Sequence, residues 1–213
     1  MFSVFTSYVE ANKLSIEGCM GYLNNGVTKM INLRNKPTIV GEKVTLRPFH
    51  VVEDFPYLEE CLQDPEVLKF TGASKEYNRE EILDWYSTRN EQTDRLDLAI
   101  VDKSNNILIG EVVVNLYDEE TNGMNFRILI GPRGRNRGLG TEVTQLIVDY
   151  MFMNTNLNRL TLSVFAFNPR AKKVYEKVGF IEVGIEENDL EYDGQWIDSI
   201  LMELTKETWI NAG

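Results

Sequence analysis

Residues 128–141 read Ile128-Leu-Ile-Gly-Pro-Arg-Gly-Arg-Asn-Arg-Gly-Leu-Gly-Thr141, and the fold is legible from this stretch outward. An apolar run stops at Gly131-Pro132, a loop of glycine and arginine follows, and a helical pattern opens near Gly138. Val143, Leu146, Ile147, Tyr150 and Met151 then recur at i, i+3, i+4, i+7 and i+8, the stripe of a helix packed on a core. A strand feeding a glycine loop feeding a helix N-terminus is a place to hold phosphate. Glycines let the backbone come close, unpaired N–H groups point outward, and the helix dipole favours negative charge. Arg133, Arg135 and Arg137 add cationic donors matched to phosphate oxygens. The ligand is not that of a P-loop, because no Lys-Ser/Thr follows the glycines. Nor is the dinucleotide fingerprint met, since Val143 stands where the third glycine belongs. What remains is Arg135-x-x-Gly138-x-Gly140, which by itself is also compatible with an exposed basic turn before a surface helix.

Composition narrows the class. At 213 residues the chain is long enough to bury a core and short enough for one domain. A hydrophobic share of 43% and a charged share of 26% are those of a soluble globular protein. No apolar run reaches the ~20 residues of a membrane helix, and no basic segment followed by an apolar core opens the chain, so no membrane partner and no secretory signal are expected. Cys19 and Cys61 lack CxxC spacing and read as free thiols of a cytoplasmic protein. His50 is the only histidine, which rules out a multi-histidine metal site, so no metal is expected. A net charge of −11 argues against nucleic acid as the main partner. Basic residues nevertheless crowd two short stretches, around residues 127–137 and 170–177. From residue 178 to 205 there are eight carboxylates and no Lys or Arg. One edge therefore suits an anion and another a cation, although such blocks are also ordinary solvated faces.

Along the chain, residues 1–36 read as an N-terminal extension with weak helical periodicity near residues 4–14 and a turn signal at Asn24-Asn25-Gly26. Pro37 and Gly41 mark the boundary of a domain spanning residues 41–206, with 207–213 as a tail. Residues 43–48 alternate as a first strand. A short helix follows, with Pro56 in its first turn and Asp64-Pro65 at its end. Asn78 caps the next helix, whose Ile82, Trp85 and Tyr86 share a face. Residues 96–101 and 107–117 are strands of a hairpin, and 124–130 is the strand that leads into the arginine loop. After the long helix, residues 159–167 alternate as a strand, and two more strands turn at Asp193-Gly194. The order β-α-α-β-β-β-α-β-α-β-β implies an α/β (α+β) domain with a mixed sheet and helices on both faces.

The second motif is Asn168-Pro-Arg-Ala-Lys-Lys-Val-Tyr-Glu-Lys-Val-Gly-Phe180. Asparagine caps, proline fits the first helical position, and Gly179 suits a left-handed C-terminal cap. Ala171, Val174, Tyr175 and Val178 form its apolar stripe, in which Tyr175 also reads as a plain core aromatic.

The pattern N-P-x-A-x-x-x-Y-x-x-x-G-F, about thirty residues after R-x-x-G-x-G, resembles the GNAT superfamily of N-acetyltransferases. It is most similar to the branch holding ribosomal-protein N-terminal acetyltransferases and spermidine acetyltransferases. The likeness extends to Gly41-Glu-Lys-Val-Thr-Leu-Arg-Pro48 and to Tyr192-Asp-Gly-Gln-Trp-Ile-Asp198. It implies the GNAT fold: a mostly antiparallel sheet of about seven strands, splayed between the fourth and fifth, with acetyl-CoA in the opening. By the same resemblance Arg135, Asn136, Arg137, Gly138, Leu139, Gly140 and Thr141 take the pyrophosphate. Leu129 and Ile130 pair with the pantetheine arm through their backbones, Asn168 contacts the cofactor, and Tyr175 protonates the departing sulfur. It also raises a homodimer formed through the late strands.

Acetyl transfer needs a neutral amine, a stabilised oxyanion and a proton for the thiolate. A backbone N–H near Ile130 is placed to polarise the thioester carbonyl. A phenol of pKa ≈ 10 is a weaker acid than a thiol near ≈ 8.5, so a hydrogen bond to developing charge, rather than full proton transfer, is what Tyr175 is expected to give. Many relatives carry glutamate where this chain has Asn125; Glu111, on the neighbouring strand, or an ordered water is then the expected base. The expectation is an acetyl-CoA-dependent N-acetyltransferase acting on a small amine or a peptide N-terminus. The alternative is a non-catalytic sensor of the same fold that binds acetyl-CoA or an amine.

Overall fold

The computed structural model describes residues 32–73 and 78–212. Its framework is an eight-stranded sheet in the order β1-β2-β3-β4-β5-β6-β8-β7. In chain order the strands are β1 (Ile39–Val40), β2 (Val44–Arg47), β3 (Leu96–Asp102), β4 (Ile107–Asp118), β5 (Gly123–Ile130), β6 (Arg159–Phe165), β7 (Ile181–Tyr192) and β8 (Gln195–Thr205). The helices are α1 (Val51–Gln63), α2 (Pro65–Thr71), α3 (Arg79–Thr88), α4 (Leu139–Asn154), α5 (Pro169–Val178) and α6 (Lys206–Ala212). The expected seven-odd strands become eight because the two-residue β1 pairs along β2 at the sheet edge.

Every residue of β3 is buried, because the sheet is covered on both faces. Leu98 and Ile100 point to one side and Ala99 and Val101 to the other, the period-two alternation of a strand. The first side packs on Val143, Ile147 and Met151 of α4 and on Tyr175 of α5. The second packs on Phe55 and Leu58 of α1 and on Ile82 and Tyr86 of α3.

Neighbouring strands run antiparallel except β5 and β6, which are parallel. Their ladder holds only at Gly123–Arg159, Met124–Leu160 and Asn125–Thr161. Beyond Asn125 the edge of β5 that faces β6 has no ladder partner, and the sheet opens there. This is the splay expected between the fourth and fifth strands, displaced by one in number because β1 is counted.

Local chemistry explains the helices that the pattern misjudged. α1 begins at Val51, a turn earlier than Pro56 suggests. The Asp54 carboxylate accepts from the His50 backbone N–H at 2.7 Å and pairs in bidentate fashion with Arg47. Pro56 therefore sits inside the helix. Asp64 ends α1 and also opens α2: its side chain accepts from the N–H groups of Glu66 and Val67, with Pro65 at the first helical position. Asn78 caps α3 as its sequence predicts, accepting from Glu80 and Glu81.

Contacts with the domain begin upstream of Gly41. Leu33 is buried in the core, and the Lys36 ammonium reaches the Gln92 carbonyl at 2.7 Å. The periodicity near residues 4–14 and the turn signal at 24–26 lie outside the described residues. So does Cys19. Cys61 is free and buried. The segment expected as a tail forms α6, where Trp209 packs on Phe152 and donates to Asp149 at 2.8 Å. No helix among the described residues is long and apolar enough to cross a membrane.

Candidate active site

Where β5 and β6 part, a cleft of about 670 Å³ runs into the molecule. One wall is β5 from Asn125 to Ile130; the other is formed by Ser163, Val164 and Phe165 of β6 and by the first turns of α5. α2 closes one side with Glu66, Val67, Phe70 and Thr71. The volume is that of a small-molecule site.

At one end stands the N-terminus of α4. Gly138 is its cap residue, at φ 77° and ψ 2°, and no side chain caps the helix. The first N–H groups are thus left for a ligand, with the positive end of the helix dipole behind them. A Cβ built on Gly138 or Gly140 would meet no atom within 4 Å. These glycines therefore leave room beside the backbone for something the protein itself does not supply. At Gly138 the left-handed φ adds a second reason for glycine.

Of the residues expected to hold the cofactor, Leu129, Ile130, Arg135, Asn136, Gly138, Leu139, Gly140, Thr141 and Asn168 line the cleft. Asn168 caps α5 by accepting from Ala171 N–H at 3.1 Å, which fixes its side chain at the wall. Arg135 is held by Asp64 and lies 3.4 Å from Glu66, which also binds Arg170. Burial works to raise the Asp64 carboxyl, but Arg135 and the N–H groups of Val67 and Glu66 outweigh it and hold the group below its usual range.

Arg137 departs from expectation. It is not among the residues lining the cleft, because its guanidinium pairs with the fully buried Asp102 at the end of β3. That hydrogen bond, with help from Ser104, lowers the Asp102 carboxyl to about 2. In this structure the Arg137 side chain therefore anchors the loop to β3.

Tyr175 lies on α5 with its ring against Phe126 and Phe180, each centroid 6.1 Å away. The residue is buried yet lines the cleft, and its hydroxyl is not among the sealed polar atoms without partners. Among the described residues no group is hydrogen-bonded to that hydroxyl, so it opens onto the cleft. Burial pushes the phenol well above its ordinary value, which keeps it a proton donor across the neutral range.

Glu111 also departs from expectation. It is buried on the α1 and α3 side of β4, accepts from the Tyr86 hydroxyl at 2.8 Å, and does not line the cleft. The alternation that made it a neighbour of β5 also turned it under α3. Asn125 sits at the apex of the splay, its amide reaching the Thr161 carbonyl at 3.4 Å across the last paired rung.

Pattern reading missed three wall residues. Phe70 escaped because α2 was not expected. Leu116 has φ 53° at a bulge in β4, rare for a bulky side chain, and is exposed into the cleft. Asp189 follows a bulge in β7 where Asn188 has φ 54°. No sequence signal marks such bulges; only the asparagine at a positive φ hints at the second one.

The description "Acetyltransferase (GNAT) domain" matches residues 43–181, about two thirds of the chain. This chain belongs to the GNAT acetyltransferases. Its fellow members include the N-acetyltransferase 9-like protein of Caenorhabditis briggsae, 26% identical over 184 residues, which cover 79% of this chain and 92% of the relative. The spermidine N(1)-acetyltransferase of Escherichia coli is 28% identical over 160 residues, covering 75% and 84%. Among solved structures, the spermidine N-acetyltransferase of Vibrio cholerae in complex with CoA and spermine superposes with a TM-score of 0.71. That likeness has 21% identity and covers 80% of this chain and all of the other, so it bears on fold. As a GNAT N-acetyltransferase the chain takes acetyl-CoA as its co-substrate. The uncapped helix, the space beside Gly138 and Gly140 and the open edge of β5 fit that molecule's phosphates and amide-bearing arm.

Proposed function

We propose that this GNAT enzyme moves the acetyl group of acetyl-CoA to a primary amine by direct attack in a ternary complex. The observation that carries the reading is a single cleft joining the open N-terminus of α4, the unpaired edge of β5 and the Tyr175 hydroxyl. The first N–H groups of α4 and Arg135 hold the pyrophosphate. Backbone groups of Leu129 and Ile130 align the pantetheine, and an N–H near Ile130 polarises the thioester carbonyl. As the C–S bond breaks, Tyr175 donates a hydrogen bond to the sulfur.

Loss of the amine proton is assigned to water in the cleft. Asn125 cannot act as a base, and Glu111 is enclosed against Tyr86. For an amine of pKa ≈ 10.4 at pH 7 about one molecule in 2,500 is neutral, a cost of about 4.6 kcal/mol. A rise of kcat/KM with pH over the neutral range is expected from that fraction alone. The acceptor is a small cationic amine, in keeping with the acidic stretch from residue 178 to 205 and with relatives named for spermidine.

The activity belongs to the cytoplasm, where Cys61, whose thiol burial pushes up to about 12, stays reduced. A homodimer through the late strands is part of the same proposal, because the edge strand β7 exposes Ile181, Val183 and Ile185. Gel filtration with light scattering tests it, and a monomer refutes it. The activity itself is tested by thiol release from acetyl-CoA across polyamines, aminoglycosides and N-terminal peptides. Release with at least one acceptor class is expected. Silence across all three, with CoA still bound in calorimetry, would make the protein a sensor instead.

A further inference from the structure

Beside the cleft four aromatic rings pack in tilted and T-shaped contacts. Phe70 and Phe165 line the cleft itself. Phe167 lies behind them, 5.8 Å from Phe70 and 5.5 Å from Phe165, and Tyr192 follows at 5.6 Å from Phe167. The rings come from α2, the end of β6 and the end of β7, so they meet by tertiary folding rather than by sequence proximity. Their faces do not surround empty space. The Lys69 ammonium sits 5.2 Å from the centroid of Phe167, 5.5 Å from Tyr192 and 6.0 Å from Phe70.

This is an aromatic cage around an ammonium ion, the arrangement by which proteins recognise alkylammonium ligands. Among the described residues the Lys69 ammonium has neither an ion-pair nor a hydrogen-bond partner, and the three rings are its neighbours. A carboxylate also lines the cleft: Asp189, three residues before Tyr192 on the same strand, has no cationic partner among the described residues. Its Oδ2 is fixed by the Ser199 hydroxyl at 2.5 Å, which leaves Oδ1 free to accept. Rings and carboxylate together make a cationic subsite continuous with the cleft.

We propose that the cage of Phe70, Phe167 and Tyr192 binds the second, non-reacting ammonium of a diamine or polyamine acceptor, and that Lys69 occupies it in the acceptor's absence. The inference rests on the acetyltransferase reading and narrows its substrate class. Lys69 lies near the end of the seven-residue α2, and its flexible stem lets the ammonium swing out to water when a ligand's ammonium arrives.

The test compares butane-1,4-diamine with butylamine, which differ by one ammonium, using calorimetry in the presence of CoA and thiol release from acetyl-CoA. Lys69→Ala removes the internal competitor. It is expected to bind the diamine about three- to thirty-fold more tightly than the unmodified enzyme, the range of a cation–ring contact, with butylamine unchanged. Phe167→Leu is expected to weaken diamine binding by a similar factor, again without effect on butylamine, and thermal melting establishes that both variants are folded. Equal responses of the two amines, or no response in either variant, would overturn the cage. Butylamine turnover with a diamine preference that ignores both substitutions would overturn the cage and leave the transferase reading standing. Diamine binding that follows the cage without any thiol release would do the reverse.

Discussion

Replacing Tyr175 with phenylalanine removes one oxygen and leaves the rest of the residue in place. The ring keeps its edge contacts with Phe126 and Phe180, so packing in that part of the core is preserved. No described group is hydrogen-bonded to the hydroxyl, so no buried partner is orphaned. The folding free energy should therefore move by less than about 1 kcal/mol, against the 3–5 kcal/mol of truncating a buried aromatic to alanine. Catalysis should respond differently. A hydrogen bond to a charged atom is worth about 1.5–3 kcal/mol, and sulfur acquires its charge in the transition state rather than in the bound thioester. The loss should fall on kcat, by about ten- to a hundred-fold, while the Kd for CoA and the KM for the amine change by less than two-fold.

Three measurements separate the possibilities: thermal melting, calorimetry with CoA, and thiol release over amine concentration. Because burial holds the phenol well above its ordinary value, the unmodified enzyme should show no fall in kcat through pH 9 from deprotonation of Tyr175. An unchanged kcat in the variant would return Tyr175 to the core as a packing residue. A fall in CoA affinity matching the fall in kcat would place the hydroxyl in binding rather than in the chemical step.

Gly140→Leu should leave the melting temperature of the free protein unchanged or raised, since a Cβ there meets nothing within 4 Å and glycine is a poor helix former. It should weaken CoA by at least about ten-fold in calorimetry by filling the phosphate cradle, and equal affinity would empty that site of its role. Arg135→Ala should weaken CoA more at 20 mM salt than at 300 mM, because the partly exposed charge is screened; Arg137→Ala should lower stability in chemical denaturation while changing CoA affinity less than Arg135→Ala does. Asp102→Asn should cost about 1–3 kcal/mol at pH 7. The folded carboxyl is depressed to about 2, so its contribution is present above the unfolded value near 3.9 and is lost as pH falls through 2. Acid unfolding of the variant should accordingly be flatter between pH 4 and 2. Glu111→Gln should leave the rising limb of the pH profile in place, and its disappearance would restore Glu111 as the base.

What was legible in the sequence was whatever depends on neighbours along the chain. The turn at Asp193-Gly194, the caps at Asn78 and Asn168 and the stripe through Val143, Ile147 and Met151 are settled within a few residues of themselves, and each stands where pattern places it. Asp64 shows the limit of that rule. One Asp-Pro pair closes a helix and caps the next, and reading it as a stop alone hid α2 and with it Phe70, Lys69 and Glu66. The remaining departures concern direction. Strand alternation says that Glu111 and Val112 point opposite ways, but not which of them faces α3; only the packing of Tyr86 against β4 decides that. In the same way three arginines in five residues all read as phosphate ligands. The buried Asp102, thirty-five positions upstream, holds the Arg137 side chain away from the cleft wall, and Glu60 holds Arg133 at 2.8 Å. Arg135 alone of the three stays on the cleft wall, and there it is already bound to the carboxylates of Asp64 and Glu66. A diphosphate drawn to Arg135 thus meets a guanidinium already neutralised by carboxylates that α2 and its cap residue carry. α2 carries Glu66, which lines the cleft and pairs with Arg135, and Lys69, whose ammonium lies among the aromatic rings beside it.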